Sequence, residues 1–255
     1  MSFVSAALLF LAAVLAGVMN SVAGGGTFVT FPTLIFTGVP PIPANATSTI
    51  AVWPGSLASV GAYWKKVPGS ATILWPLAFV SVVGGLLGAL VLLHTPQATF
   101  MHLVPYLFLV ATLLFTFGKK LSGSLGGVLT SRRPLSRLAI GGAMLVQFVI
   151  AIYGGFFGGG MGILMLALLA MIRMEDIHSM NAVKNLLAAA INGAAVVTFM
   201  IGGAVRWPQA IVMIAGAVIG GYGGAHLAQK LDPKLVRGFV IVVGFGMTTY
   251  FLWRY

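Results

Sequence analysis

The sequence predicts an all-α integral membrane protein made of two inverted repeats of about five membrane segments each. Three observations lead there. Of 255 residues, 59% are hydrophobic and only 7% are charged, whereas a soluble domain carries about 25% charged residues to cover its surface. Apolar runs recur along the whole length, many near the ~20 residues that cross a bilayer core. The same landmarks also return in the same order in the two halves.

Apolar segments bounded by glycine, proline or charge are expected at 4–23, 27–38, 44–63, 70–93 and 100–117. A basic linker follows over 118–137, with Lys119, Lys120, Arg132 and Arg133. The second set is expected at 137–157, 160–172, 180–201, 208–228 and 235–252. The chain therefore divides into a first membrane repeat (1–117), a cytoplasmic linker (118–137) and a second repeat (138–255). The first basic residue is Lys65, so Phe3–Ala23 reads as a retained membrane segment, since a cleaved signal begins with a basic region.

Each set has one rhythm: a long segment, a glycine cluster, a short segment, then three long ones. Gly24-Gly25-Gly26 matches Gly158-Gly159-Gly160, and Asn45-Ala46 matches Asn181-Ala182. Trp75-Pro76 matches Trp207-Pro208, Gly84 and Gly88 match Gly216 and Gly220, and His94 falls opposite His226. From Trp75 to His94 the offset is a constant 132 residues. Ordered matches of this kind mark a duplicated unit of about 120 residues.

Charge placement gives the orientation. Counting every segment as a crossing puts Lys65, Lys66, the linker, Arg173, Lys230, Lys234 and Arg237 on one side. Only Arg206 and Arg254 lie opposite, so the positive-inside rule places both termini outside and the linker in the cytoplasm. An odd number of crossings per repeat makes the halves inverted. The short segments, 12 and 13 residues long, make only about 18–20 Å of helix against a core of ~30 Å. Each either crosses, or forms with its predecessor a hairpin whose glycine tip stops inside the membrane.

Composition also excludes. The net charge of +11 is topological here and predicts no nucleic-acid partner. With no cysteine, thiolate catalysis and Cys-based metal sites are impossible. Glu175-x-x-His178 has the spacing of half a carboxylate di-metal motif, but it occurs once, in a predicted loop. No nucleotide-binding motif is present, so neither cofactor nor metal is expected. The three acids, Glu175, Asp176 and Asp232, all fall in predicted loops. A cation transporter or a carboxylate-dependent membrane enzyme lacks its working group here, which points to an anionic substrate and to no enzymatic activity. His94, His102 and His226 sit at segment ends, where interfacial hydrogen bonding is their usual role.

Glycine-interrupted short segments at matching places of two halves mark the substrate site of many transporters. A break exposes helix N-terminal amides carrying about half a positive charge, which hold anions. The expected site therefore contains Gly24, Gly25, Gly26, Gly158, Gly159 and Gly160, whereas Gly84, Gly88, Gly216 and Gly220 are read as helix-packing residues. Asn45, Thr47 and Ser48 open the segment after the first short helix, and Asn181, Lys184 and Asn185 open its counterpart. Their amides, hydroxyls and ammonium suit an oxyanion. Ser56 and Asn192 occupy equivalent positions deeper in the same segments. Lys184 is the one cation within an apolar stretch; it either faces the site or snorkels to the cytoplasmic interface.

At these residues the chain resembles the TauE/SafE family of sulfite and organosulfonate exporters. The likeness rests on Ala23-Gly-Gly-Gly-Thr-Phe-Val-Thr-Phe-Pro32 with Asn45-Ala-Thr-Ser48, and on Gly154-Gly155-Phe-Phe-Gly-Gly-Gly160 with Asn181-Ala-Val-Lys-Asn-Leu. The resemblance implies a multi-pass bacterial inner-membrane permease, a monomer or homodimer in the lipid bilayer, carrying sulfur oxyanions or organosulfonates. Ser48 of the first half aligns with Lys184 of the second, so the two contributions to the site are unequal. The reading is a secondary transporter of a small anion working by alternating access. A passive anion channel and a non-transporting scaffold or accessory subunit are the rivals.

Overall fold

A computed structural model describes residues 1–22, 25–63, 71–127, 137–172, 174, 176–228 and 233–254. Ten helices and, among the described residues, no strand make up the fold. They are α1 (Phe3–Val22), α2 (Thr27–Phe36), α3 (Pro41–Tyr63), α4 (Ala71–His94) and α5 (Gln97–Gly127). After the linker come α6 (Arg137–Phe156), α7 (Met161–Met171), α8 (Ile177–Ile201), α9 (Trp207–Ala228) and α10 (Pro233–Arg254). Five of them are long and apolar enough to cross a membrane, within α1, α4, α5, α6 and α8. The two short ones, α2 and α7, have 10 and 11 residues, about 15–17 Å of helix.

Local chemistry explains several ends. Pro41 and Pro233 stand first in α3 and α10, where the missing N–H costs nothing and φ is already helical. Asp176 precedes α8, and its Oδ2 accepts from the Ser179 N–H (2.9 Å) and hydroxyl (2.7 Å), an N-cap. Two ends differ from expectation. The helix α5 runs on to Gly127, so the first part of the predicted linker is helical. Pro41 also starts α3 earlier than expected, which moves Asn45 from the helix start into its second turn.

The long helices take their main partners from the opposite half. Helix α1 packs on α9 as α6 packs on α4; α3 meets α8, and α5 meets α10. Glycines permit the closest crossings. A Cβ on Gly88 of α4 would collide with the Ile152 carbonyl of α6, and one on Gly220 of α9 with the Val14 carbonyl of α1. Gly84 and Gly216 are equally blocked, by Ala151 Cβ at 2.6 Å and Phe10 O at 2.5 Å. All four are helix-packing residues.

Polarity is arranged for a bilayer. Trp75, Phe79, Leu145, Ile211 and Trp253 face outward, while Asn45, Thr47, Ser48, Ser81 and Gln147 are buried. At the centre, Phe28 and Phe31 of α2 meet Phe108 edge-on and tilted, at 5.2 and 6.0 Å between ring centres. Phe157 and Phe251 close on the same ring at 5.5 and 5.8 Å. This aromatic plug seats α2 in the middle of the molecule and brings its N-terminus beside that of α7.

Candidate functional site

A cavity of about 130 Å³ lies where the two halves meet. Helix α3 contributes Thr49, Val52 and Ser56, and α8 contributes Asn185, Ala188 and Asn192. Steps of three and four residues put each trio on one helix face. Each trio member lies 136 residues from its partner, and both trios line the cavity. The start of α2 (Gly25, Thr27) and the loop into α7 (Phe157–Gly162) complete the enclosure, with Asn20 of α1 and Phe115 of α5.

The glycine loops hold shapes that other residues resist. Gly25, Gly158 and Gly160 have φ of 95°, 81° and 76°, a region costing an L-residue roughly 1–2 kcal/mol. Gly26 is helical (φ −54°), yet a Cβ there would lie 2.9 Å from both Ala16 O and Asn20 Nδ2. Each loop is tied to the end of the preceding long helix. Asn20 Oδ1 accepts from the Gly26 N–H at 2.8 Å, and the Tyr153 hydroxyl donates to Gly159 O at 2.5 Å.

Lys184 supplies the charge. It lines the cavity, its stem lies where a Cβ on Gly162 would sit 3.4 Å away, and its Nζ donates to Asn181 Oδ1 at 3.2 Å. No carboxylate stands among the lining residues. A cation held by a neutral amide, beside the N-terminal ends of two helices, makes the cavity attractive to anions.

The model of the family described as "Sulfite exporter TauE/SafE" matches residues 9–251. The chain belongs to the TauE/SafE family. A "Probable membrane transporter protein" of Haemophilus influenzae is 28% identical over 242 residues, covering 95% of this chain and 92% of the relative. The "Probable membrane transporter protein YfcA" of Escherichia coli is 26% identical, covering 96% of this chain and 88% of its own length. A similarly described protein of a Sinorhizobium species is 25% identical, covering 94% and 90%. No solved structure matches the chain. A multi-pass membrane protein of a transporter family is thus in hand.

In this TauE/SafE member, Gly25, Ser56, Gly158, Gly159, Gly160, Lys184, Asn185 and Asn192 converge on the cavity. Gly24 lies outside the described residues, as do Glu175, Arg173 and most of the basic loops. Gly26 stands behind the wall, its N–H turned to Asn20, and Asn181 stands behind Lys184. Asn45, Thr47 and Ser48 are not among the lining residues; each is engaged by a neighbouring segment instead. Asn45 Nδ2 donates to Phe156 O (3.1 Å), Thr47 Oγ1 accepts from the Arg206 N–H (3.0 Å), and Ser48 pairs with Thr30 (2.6 Å).

The sequence reading missed Asn20, Thr27 and Thr49 as lining residues. Thr49 was within reach: it lies two helical turns before Ser56 on the same face, and 136 residues before Asn185. Tyr153 was also missed, and it makes a direct test. Tyr153→Phe deletes one hydroxyl and leaves Gly159 O without its donor, an expected loss of about 1–3 kcal/mol. Thermal unfolding and substrate titration in detergent should both weaken; neither changing would mean the loop holds itself.

Proposed function

We propose that this chain is a secondary transporter of a small anion, a sulfur oxyanion or organosulfonate such as sulfite, thiosulfate or sulfoacetate. The observation that carries the reading is Lys184, an ammonium in a membrane helix, lining a small cavity without a carboxylate. Gly25, Thr27 and the Gly158–Gly162 loop supply helix-terminal amides, and Ser56, Thr49, Asn20, Asn185 and Asn192 supply neutral polar groups. Sulfonate or sulfite oxygens need such donors around a compact head.

The same arrangement suits alternating access. The exchange of partners between halves, α1 with α9 and α6 with α4, supports a pair of inverted repeats rocking about the cavity. Set in a bacterial inner membrane, an anion leaving a negative interior gains about 2.3 kcal/mol per 100 mV for each charge. Export then needs no further energy source.

The test is flux in proteoliposomes under an imposed potential. Sulfite, thiosulfate or sulfoacetate should move saturably, with counterflow, and faster when the potential drives anions out. Movement of an amine or a metal ion, with none of the three anions transported or competing, would sink the anion reading.

A further inference from the structure

We propose that the first half holds a small monovalent cation, of sodium size, at Asn45 and Ser48, where the second half holds Lys184. The comparison is internal to the chain. In Asn181-Ala-Val-Lys184 the amide oxygen of Asn181 receives the Lys184 ammonium at 3.2 Å. In the equivalent Asn45-Ala-Thr-Ser48 the lysine is replaced by a hydroxyl. Asn45 Oδ1 is left buried and without a partner among the described residues.

A count of protons makes the gap specific. Phe156 O can only accept, so the Asn45 nitrogen faces it and the oxygen is the orphan. Thr30 Oγ1 lies 3.1 Å from Gly26 O, which also can only accept, so the Thr30 hydrogen goes there. Ser48 must therefore donate across its 2.6 Å contact with Thr30, which leaves the Ser48 Oγ lone pairs unclaimed. Asn45 and Ser48 are 1% and 0% exposed and one helical turn apart, so they are neighbours on α3. A buried carbonyl-type oxygen with no donor costs about 1–3 kcal/mol. A cation shared with the Ser48 Oγ lone pairs removes that cost from Asn45 Oδ1.

The surroundings favour positive charge. Asn45 is bonded to Phe156, the last residue of α6, and the C-terminal end of a helix carries about half a negative charge. Half-helix ends and unwound backbone serve as alkali-ion ligands in other transporter folds. Both candidate ligands, Asn45 Oδ1 and Ser48 Oγ, are neutral oxygens, the donor type that hard cations take. No group there titrates near neutral pH, so the cluster suits a metal cation better than a proton. Its close burial selects a small, dehydrated ion. The site stands on this cluster alone; its role as a coupling ion rests on the transport reading above.

The experiment measures unfolding of the purified protein in detergent in sodium, potassium or N-methylglucamine chloride at matched ionic strength, beside anion flux in each. Sodium should raise the unfolding temperature, and flux should rise with it. Ser48→Ala removes one ligand and should raise the half-effective sodium concentration about tenfold, the effect of 1.4 kcal/mol. Ser48→Lys supplies a tethered ammonium and should make stability and flux independent of sodium. Equal unfolding temperatures in all three salts overturn the site and assign Asn45 Oδ1 a buried water. A sodium-dependent stability without any anion flux keeps the site and discards the transport reading; anion flux indifferent to sodium keeps the transport reading and overturns the coupling role.

Discussion

Replacing Lys184 with alanine is expected to abolish saturable anion flux while the protein still folds. The variant leaves the cavity its amides and helix ends but removes the one full charge among its described lining residues. Truncating one member of a buried charged contact costs about 2–5 kcal/mol, so substrate binding should weaken at least about thirtyfold. Stability should fall by no more than about 1–3 kcal/mol, because the partner of Nζ is the neutral Asn181 oxygen. Lys184→Arg should recover part of the affinity. It restores the charge, but the stem that fits against Gly162 carries a broad planar head. Titration of sulfite into the purified variants, with unfolding curves alongside, checks this. Unaltered binding in the alanine variant would place the working positive charge elsewhere.

Gly220→Leu should prevent the protein from assembling at all. The added side chain starts inside the Val14 carbonyl of α1, and backbone cannot rotate away as a side chain would. Overpacking by single methylenes already costs about 1–3 kcal/mol; here a whole side chain meets a helix pressed flat against its neighbour. The adjacent position is the control. A Cβ on Gly221 has nothing within 4 Å, so Gly221→Leu should elute as a single species with near-native stability. If both variants behave alike on size exclusion and on heating, the close crossing of α1 and α9 is not as described.

Much of the architecture was legible because bilayer physics writes it in hydrophobicity. All ten segments appear as helices near the expected bounds, since apolar runs between glycine, proline and charge have few other outcomes in lipid. The exception is instructive. At Gly118-Lys119-Lys120 the apolar pattern ends, yet the helix continues to Gly127, because backbone hydrogen bonding does not stop where hydrophobicity does. The site was legible in part. Glycine clusters and a lysine in an apolar run are visible one residue at a time. Which way a polar side chain points is not. Asn45, Thr47 and Ser48 have the right chemistry, but each is taken up elsewhere, by Phe156, Arg206 and Thr30 respectively. Two of those three contacts join residues more than a hundred positions apart. Thr49, one residue farther on, faces the cavity instead.

The crossing of α1 on α9 has a meaning in time as well as in space. The ribosome completes α1 at Val22 and does not begin α9 until Trp207, an interval of about 10–40 s at 5–20 residues per second. Throughout it, Gly17 and the exposed Phe10 and Val14 carbonyls of α1, which Ala217, Gly216 and Gly220 later cover, have no permanent neighbour. Helix α1 thus waits through most of the synthesis of the helices that follow it, and biogenesis must hold it open rather than let it close early on something else.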